Sequence, residues 1–214
     1  MSTLSGVERF QRLLEAYREL CPVHIAWKQD SPLMRVIYFL VRGFVPNFMT
    51  DFTTVIGKTI YFSDPAYIEE YPDSAARTLA HEMVHLLDSR RCSWPVFVVG
   101  YLFPQILVAG VLLFPWIGAW ALLFLVFLLP LPAPFRAWIE VRAYCLNILT
   151  AHPAKRARTW EHVMRQFTGW NYYLMMPFPP MLKYWINHSL RRAESGRDAT
   201  QFRVLHIYEE IMLK

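Results

Sequence analysis

Thr78-Leu79-Ala80-His81-Glu82-Met83-Val84-His85-Leu86-Leu87 is the stretch from which the rest of this chain is read. No proline or glycine interrupts it, and Ala75, Leu79, Val84 and Leu87 supply apolar positions at helical intervals. The pattern predicts a helix from about Ser74 to Ser89, opened by Pro72-Asp73-Ser74 with Asp73 or Ser74 as its cap. Residues four apart on a helix lie on one face, so His81 and His85 can offer their imidazoles to the same point. A core helix with hydrogen-bonded histidines would account for either residue alone. Two at this spacing, with Glu82 between them, point instead to a divalent metal and a carboxylate that takes a proton from a water the metal polarises.

A zinc ion with catalytic capacity needs a third protein ligand and one open position. Glu140 is the candidate. It lies in a helical pattern that begins at Pro134, and it is the only acidic residue between Asp88 and Glu161. A carboxylate next to apolar membrane segments is costly unless a cation receives it. Zinc would do so; a salt bridge from Glu140 to Arg136 or Arg142 is the alternative.

His81-Glu82-Met83-Val84-His85, then a long apolar stretch, then Glu140-Val141-Arg142-Ala143 on the next helix, resembles the gluzincin metallopeptidases. The nearest group is the membrane-bound one of the CAAX prenyl proteases, the bacterial HtpX proteases and the mitochondrial OMA-type proteases. The similarity runs from about Thr53 to Asn147. It implies that His81, His85 and Glu140 bind zinc and that Glu82 is the general base. That family continues Glu-x-x-Ala with Asp, which braces a zinc histidine. Here Tyr144 stands in its place, so the bracing falls to Asp88, Tyr144 or Asn147.

Between Arg91 and Arg136 the chain has no charged side chain, and residues 95–131 are almost wholly apolar. That run is nearly twice the roughly 20 residues one span requires. Phe114-Pro115-Trp116-Ile117-Gly118 marks a turn, which predicts a helical hairpin over about 95–131, transmembrane or re-entrant, with Pro104 kinking its first arm. Arginines flank both ends (Arg90 and Arg91, Arg136 and Arg142). By the positive-inside rule, the protein is expected to be integral to the membrane with its metal site facing the cytoplasm. The first twenty residues form a charged amphipathic pattern rather than a signal peptide. Three cysteines make no disulfide framework, in keeping with a reducing compartment. Residues 153–214 hold 10 basic and 5 acidic side chains, which accounts for the whole formal charge of +5. A basic helical region beside a membrane hairpin suits anionic lipid head groups. No recognised nucleic-acid motif accompanies the basic pI, so nucleic acid is not expected as a partner.

The remaining segments complete an α+β reading: one domain over 1–214, mostly helical, with a small β-sheet before the zinc helix and the inserted hairpin after it. Leu4, Val7, Phe10, Leu14 and Tyr17 mark a helix from about Thr3 to Leu20, with Ser5 and Glu8 spaced as a capping box. Residues 23–27, 34–41 and 53–62 are β-prone. Residues 36–45 are apolar enough to lie at a membrane interface, although Arg42 argues against a full span. An exposed strand edge at Val55, Ile56, Gly57 and Lys58 could pair with an extended polypeptide substrate, as the strand before the zinc helix does in gluzincins. Helices are expected over 155–167, 181–193 and 200–212, and Tyr172-Tyr173 falls in an aromatic connector. Oxyanion donors could come from His188, Tyr184, His206, Tyr172 or Arg191; His188 is preferred because Tyr184 shares its face.

These readings converge on a zinc-dependent membrane peptidase acting on membrane or membrane-proximal polypeptides. The rival class is a membrane-anchored binding or scaffold protein with a structural or vestigial zinc site. A zinc hydrolase acting on lipid is a third reading.

Overall fold

The computed structural model describes residues 4–43, 45–172 and 174–213. Thr3, Phe44 and Tyr173, which fall inside segments read from the sequence, lie outside the described residues. The chain order is α1 (Gly6–Leu20), β1 (His24–Trp27), α2 (Pro32–Val41), β2 (Thr54–Ile56), β3 (Thr59–Phe62), α3 (Ala66–Glu70) and α4 (Pro72–Arg91). After it come α5 (Trp94–Leu102), a 3-10 segment Gln105–Leu113, α6 (Phe114–Ile117), a second 3-10 segment Gly118–Leu128, and α7 (Pro134–Leu149). The last elements are α8 (Arg156–Thr168), α9 (Pro179–Glu194) and α10 (Ala199–Met212). The mostly helical α+β expectation holds. The chain divides into two compact units, Met1–Leu87 with Ala199–Lys214, and Asp88–Asp198.

In the first unit, α1 starts at the expected capping box: Glu8 N–H donates to Ser5 Oγ at 3.2 Å, and Ser5 N–H to Glu8 Oε2 at 2.7 Å. Its buried face carries Phe10, Leu13 and Tyr17. The Tyr17 hydroxyl donates to the Val204 carbonyl at 3.0 Å, fastening α1 to α10. The sheet has order β1-β3-β2, with β1 parallel to β3 and β2 antiparallel to it. Ile60 and Phe62 of β3 are fully buried, and Phe62 meets Phe10 edge-on at 6.3 Å.

Two β-prone segments fold otherwise than their composition predicts. Residues 32–41 form a helix, not a strand. Ser31 Oγ accepts from Met34 N–H at 3.3 Å and Pro32 occupies the first turn, where its missing N–H costs nothing. Residues 53–62 are a hairpin, not one strand. Gly57 and Lys58 form its two-residue loop, and Gly57 takes φ +62°, the left-handed conformation that a tight hairpin turn asks of its first residue. Val55 and Ile56 lie on β2, at the sheet edge, whereas Gly57 and Lys58 are turn residues.

The helix of the opening motif is longer than expected at both ends, and Pro72 heads it, so Asp73 and Ser74 lie inside its first turn. The Ala75 N–H donates to the Tyr71 carbonyl at 2.9 Å, and the Tyr67 hydroxyl donates to Ser74 Oγ at 2.9 Å, tying α4 to α3.

In the second unit, α7 packs against α8 and α9 around Val141, Cys145, Val163, Phe167, Leu182 and Ile186. Burial pushes the Cys145 thiol up to about 12, leaving it an inert core group. The apolar region breaks at Pro104, where α5 has ended. Residues Gln105–Leu128 are together long and apolar enough to cross a membrane: 24 residues, within which an 18-residue stretch has a mean hydropathy of 2.4 and is 6% buried. They do not run straight. The chain reverses through α6 and Gly118 (φ +58°), and a Cβ at Gly110 would lie 2.4 Å from the Phe124 ring. Glycine is what lets the two arms approach this closely.

Candidate metal centre

His81 and His85 project from α4 one turn apart, as their spacing requires. Both are 8% exposed, and so is Glu82 between them. Met83 and Val84, the other two residues between the histidines, are fully buried, which fixes the rotation of the helix. The two Nε2 atoms are 3.2 Å apart, with the rings near perpendicular at 75°. Two nitrogens at about 2.0–2.1 Å from one tetrahedral ion would lie about 3.3–3.4 Å apart. A direct hydrogen bond at this distance needs one ring protonated at Nε2 and the other bare; a cation uses both bare.

Glu140 lies on α7 and is 3% exposed. The Tyr101 hydroxyl of α5 donates to its Oε1. Four residues earlier on α7, the Arg136 guanidinium lies over the rings of Tyr101 and Tyr172, at 5.0 and 5.8 Å. Burial opposes the Arg136 charge, but Tyr101 and then Glu140 outweigh it and raise its pKa. The Tyr172 hydroxyl is pushed well up, first by burial and then by the Glu140 charge.

His81, His85 and Glu140 each offer a ligand atom, and these atoms all lie within 4.8 Å of one another. This buried group could hold a metal ion. Two imidazoles and one carboxylate leave a tetrahedral ion one open position, so the donor set suits a divalent cation.

Asp88, Tyr144 and Asn147, the residues expected to brace the ligands, make the following contacts. Both Asp88 oxygens accept from Arg142, at 2.8 and 2.9 Å, and Arg142 also donates to Asp198. All three are buried at 7% exposure or less. Asp88 and Asp198 thus both answer the Arg142 charge. Burial opposes that charge, yet the two carboxylates raise its pKa. The Tyr144 hydroxyl meets that of Tyr172 at 2.6 Å, and the Tyr144 ring stands edge-on to Phe167 at 5.6 Å. Asn147 Oδ1 is buried with no hydrogen-bond partner. His188 is exposed on α9 and stacks on Tyr184 at 5.9 Å.

Sequence reasoning missed Tyr101, Asp198 and Lys28. Tyr101 sat inside an apolar run and counted as hydrophobic, although its hydroxyl is a hydrogen-bonding handle. Lys28 is fully buried; its Nζ donates to the Phe48 carbonyl at 2.5 Å and lies 3.8 Å from the Phe48 ring centre. Burial pushes its pKa down to about 8, partly opposed by the charge of Glu82. No sequence signal marks a lysine as buried. Compared with family models, curated proteins and solved structures, the chain finds no match in any of the three.

Proposed function

We propose that this chain is a zinc-dependent peptidase of membrane or membrane-proximal polypeptides, with His81, His85 and Glu140 as metal ligands and Glu82 as general base. The observation that carries the reading is the Nε2 pair at 3.2 Å with a buried carboxylate in ligand range. A general base beside the first ligand favours catalysis over a structural site, which has no use for one. The donor set is that of several catalytic zinc sites, and a zinc ion there would supply Lewis-acid polarisation of a carbonyl and a more acidic water.

The protein's own groups do the remaining work. Glu82 takes a proton from the attacking water, whose oxygen bonds to the carbonyl carbon. As the C–N bond breaks, Glu82 delivers that proton to the leaving amine. Tyr101 holds the Glu140 carboxylate in one orientation through its hydrogen bond. Arg136 supplies positive charge one turn away on the same helix.

The hairpin gives the reading its membrane setting. As one rod, Gln105–Leu128 would span a bilayer. Folded at α6, its arms of 9 and 11 residues rise only about 18 and 22 Å at 3-10 geometry. The hydrocarbon core is about 30 Å thick. The hairpin therefore dips into the bilayer and returns, which leaves both basic flanks on one side, the cytoplasmic one by the positive-inside rule.

Metal analysis of purified protein should find about one zinc per chain, lost in Glu140→Gln. Glu82→Gln should keep the metal and lose about 100-fold or more of the hydrolysis of an unfolded protein substrate in detergent. Equal cleavage by Glu82→Gln would refute the mechanism. A wild-type protein that holds zinc and cleaves nothing, itself included, would mean a structural site on a membrane-anchored scaffold.

A further inference from the structure

The ten residues of α2 form an apolar helix with two apolar faces. At 100° per residue, Ile37, Val41, Met34 and Tyr38 share one arc of about 100°. Met34 is fully buried there and the other three are half-buried. Leu33, Leu40, Val36 and Phe39 share an opposing arc of about 120°. That arc faces outward, with exposures of 46, 70, 58 and 65%. Arg35 and Arg42 fall together at one margin between the two arcs. Four large apolar side chains side by side on one helix make a patch, not the scattered exposure common on protein surfaces.

The charge around this helix says what covers it. Between Asp30 and Asp51 the only charged side chains are Arg35 and Arg42. The Arg42 guanidinium lies 4.8 Å from the Phe39 ring centre, so a cation sits against the aromatic member of the exposed arc. An apolar arc edged by arginines, free of acidic residues, is the pattern of a helix lying in the plane of a membrane surface. Arg35 donates through Nε and Nη2 to the Gln29 carbonyl, at 3.1 and 2.7 Å, which leaves Arg42 and the remaining Arg35 N–H groups to meet lipid phosphates if the arc enters the acyl boundary. At about 15 Å, ten residues cannot cross a core about 30 Å thick.

We propose that α2 is a second membrane contact, independent of the hairpin: an in-plane helix that buries Leu33, Val36, Phe39 and Leu40 in the head-group boundary of an anionic leaflet. It belongs to the same compact unit as His81 and His85. This inference does not depend on peptidase activity.

The test uses the full chain in vesicles of phosphatidylcholine, with and without phosphatidylglycerol. In a Cys92→Ser background, single cysteines are placed at Val36, at Phe39 and, as a control, at exposed Asp30, each carrying an environment-sensitive fluorophore. Lipids brominated in the upper acyl chain should quench the labels at 36 and 39 roughly twofold or more beyond the label at 30. The excess should grow with phosphatidylglycerol and shrink in Arg35→Gln/Arg42→Gln. Equal quenching at all three positions, or none, overturns the proposal. So does chain-to-chain cross-linking through Phe39→Cys in place of lipid quenching, which would make the face a self-association surface. Because the readout is local, it distinguishes α2 from the hairpin: a hairpin that fails to insert leaves the α2 signal standing, and the reverse also holds.

Discussion

Lys28 holds an ammonium group where no water reaches it, with the Phe48 carbonyl and ring as its neighbours. Burial lowers its pKa from 10.5 to about 8. Between those two values the unfolded chain keeps a proton that the folded chain has released. Stability should therefore rise as pH climbs through that window. Urea midpoints measured from pH 7 to 10.5 should show the rise in wild type and lose it in Lys28→Met. Arg142 presents the opposite case, a buried cation answered by two carboxylates. Arg142→Met strands Asp88 and Asp198 and should cost about 3–5 kcal/mol in chemical denaturation. A loss below about 1 kcal/mol would mean that solvent reaches these groups. The contrast explains what was legible at this scale. His81, Glu82 and His85 could be read because a helix converts their spacing into geometry. The Arg142 partners could not, because Asp88 and Asp198 lie 54 and 56 residues away in sequence and only the tertiary fold pairs them. Glu140 fell between these cases: it stood out by its isolation in an apolar region, but its bond from Tyr101 left no local trace.

At the scale of elements, periodicity located the amphipathic helices well and failed where a segment was apolar on every side. α1, α7, α8, α9 and α10 fall close to their expected bounds. Val36, Ile37, Tyr38, Phe39 and Val41 are all β-prone, so composition alone predicts a strand where α2 forms. The stronger signal was Ser31-Pro32, an N-cap followed by a proline suited only to a first turn. Gly57 followed by Lys58 likewise announces a two-residue hairpin loop, and reading through it merged two strands into one. The capping box of α1 was legible because both of its members are local. Ser5→Ala removes the bond from Glu8 N–H and should cost about 1 kcal/mol by thermal or urea unfolding. Ser5→Gly should cost only a few tenths of that unit.

At the scale of the whole molecule, the apolar hairpin and the metal group each make a distinct prediction. A hairpin that dips leaves its tip within lipid. In a Cys92→Ser background, Trp116→Cys in sealed vesicles should resist a membrane-impermeant maleimide applied from either side and react once detergent is added. Labelling of intact vesicles from the face opposite the basic flanks would mean two full crossings. Metal binding should also register in stability. Zinc added to metal-free protein should raise the melting temperature in proportion to the logarithm of its free concentration above saturation, and Glu140→Gln should abolish the shift. The division into two compact units leaves no mark in the sequence. No linker marks a boundary, because the first unit is assembled from two stretches separated by the whole of the second.

That interleaving imposes an order of events on biosynthesis. α1 leaves the ribosome before α10, and the Val204 carbonyl that receives the Tyr17 hydroxyl is made 187 residues after that tyrosine. In the interval the entire apolar hairpin emerges. The closing of α10 onto α1 therefore waits until the whole hairpin has been made.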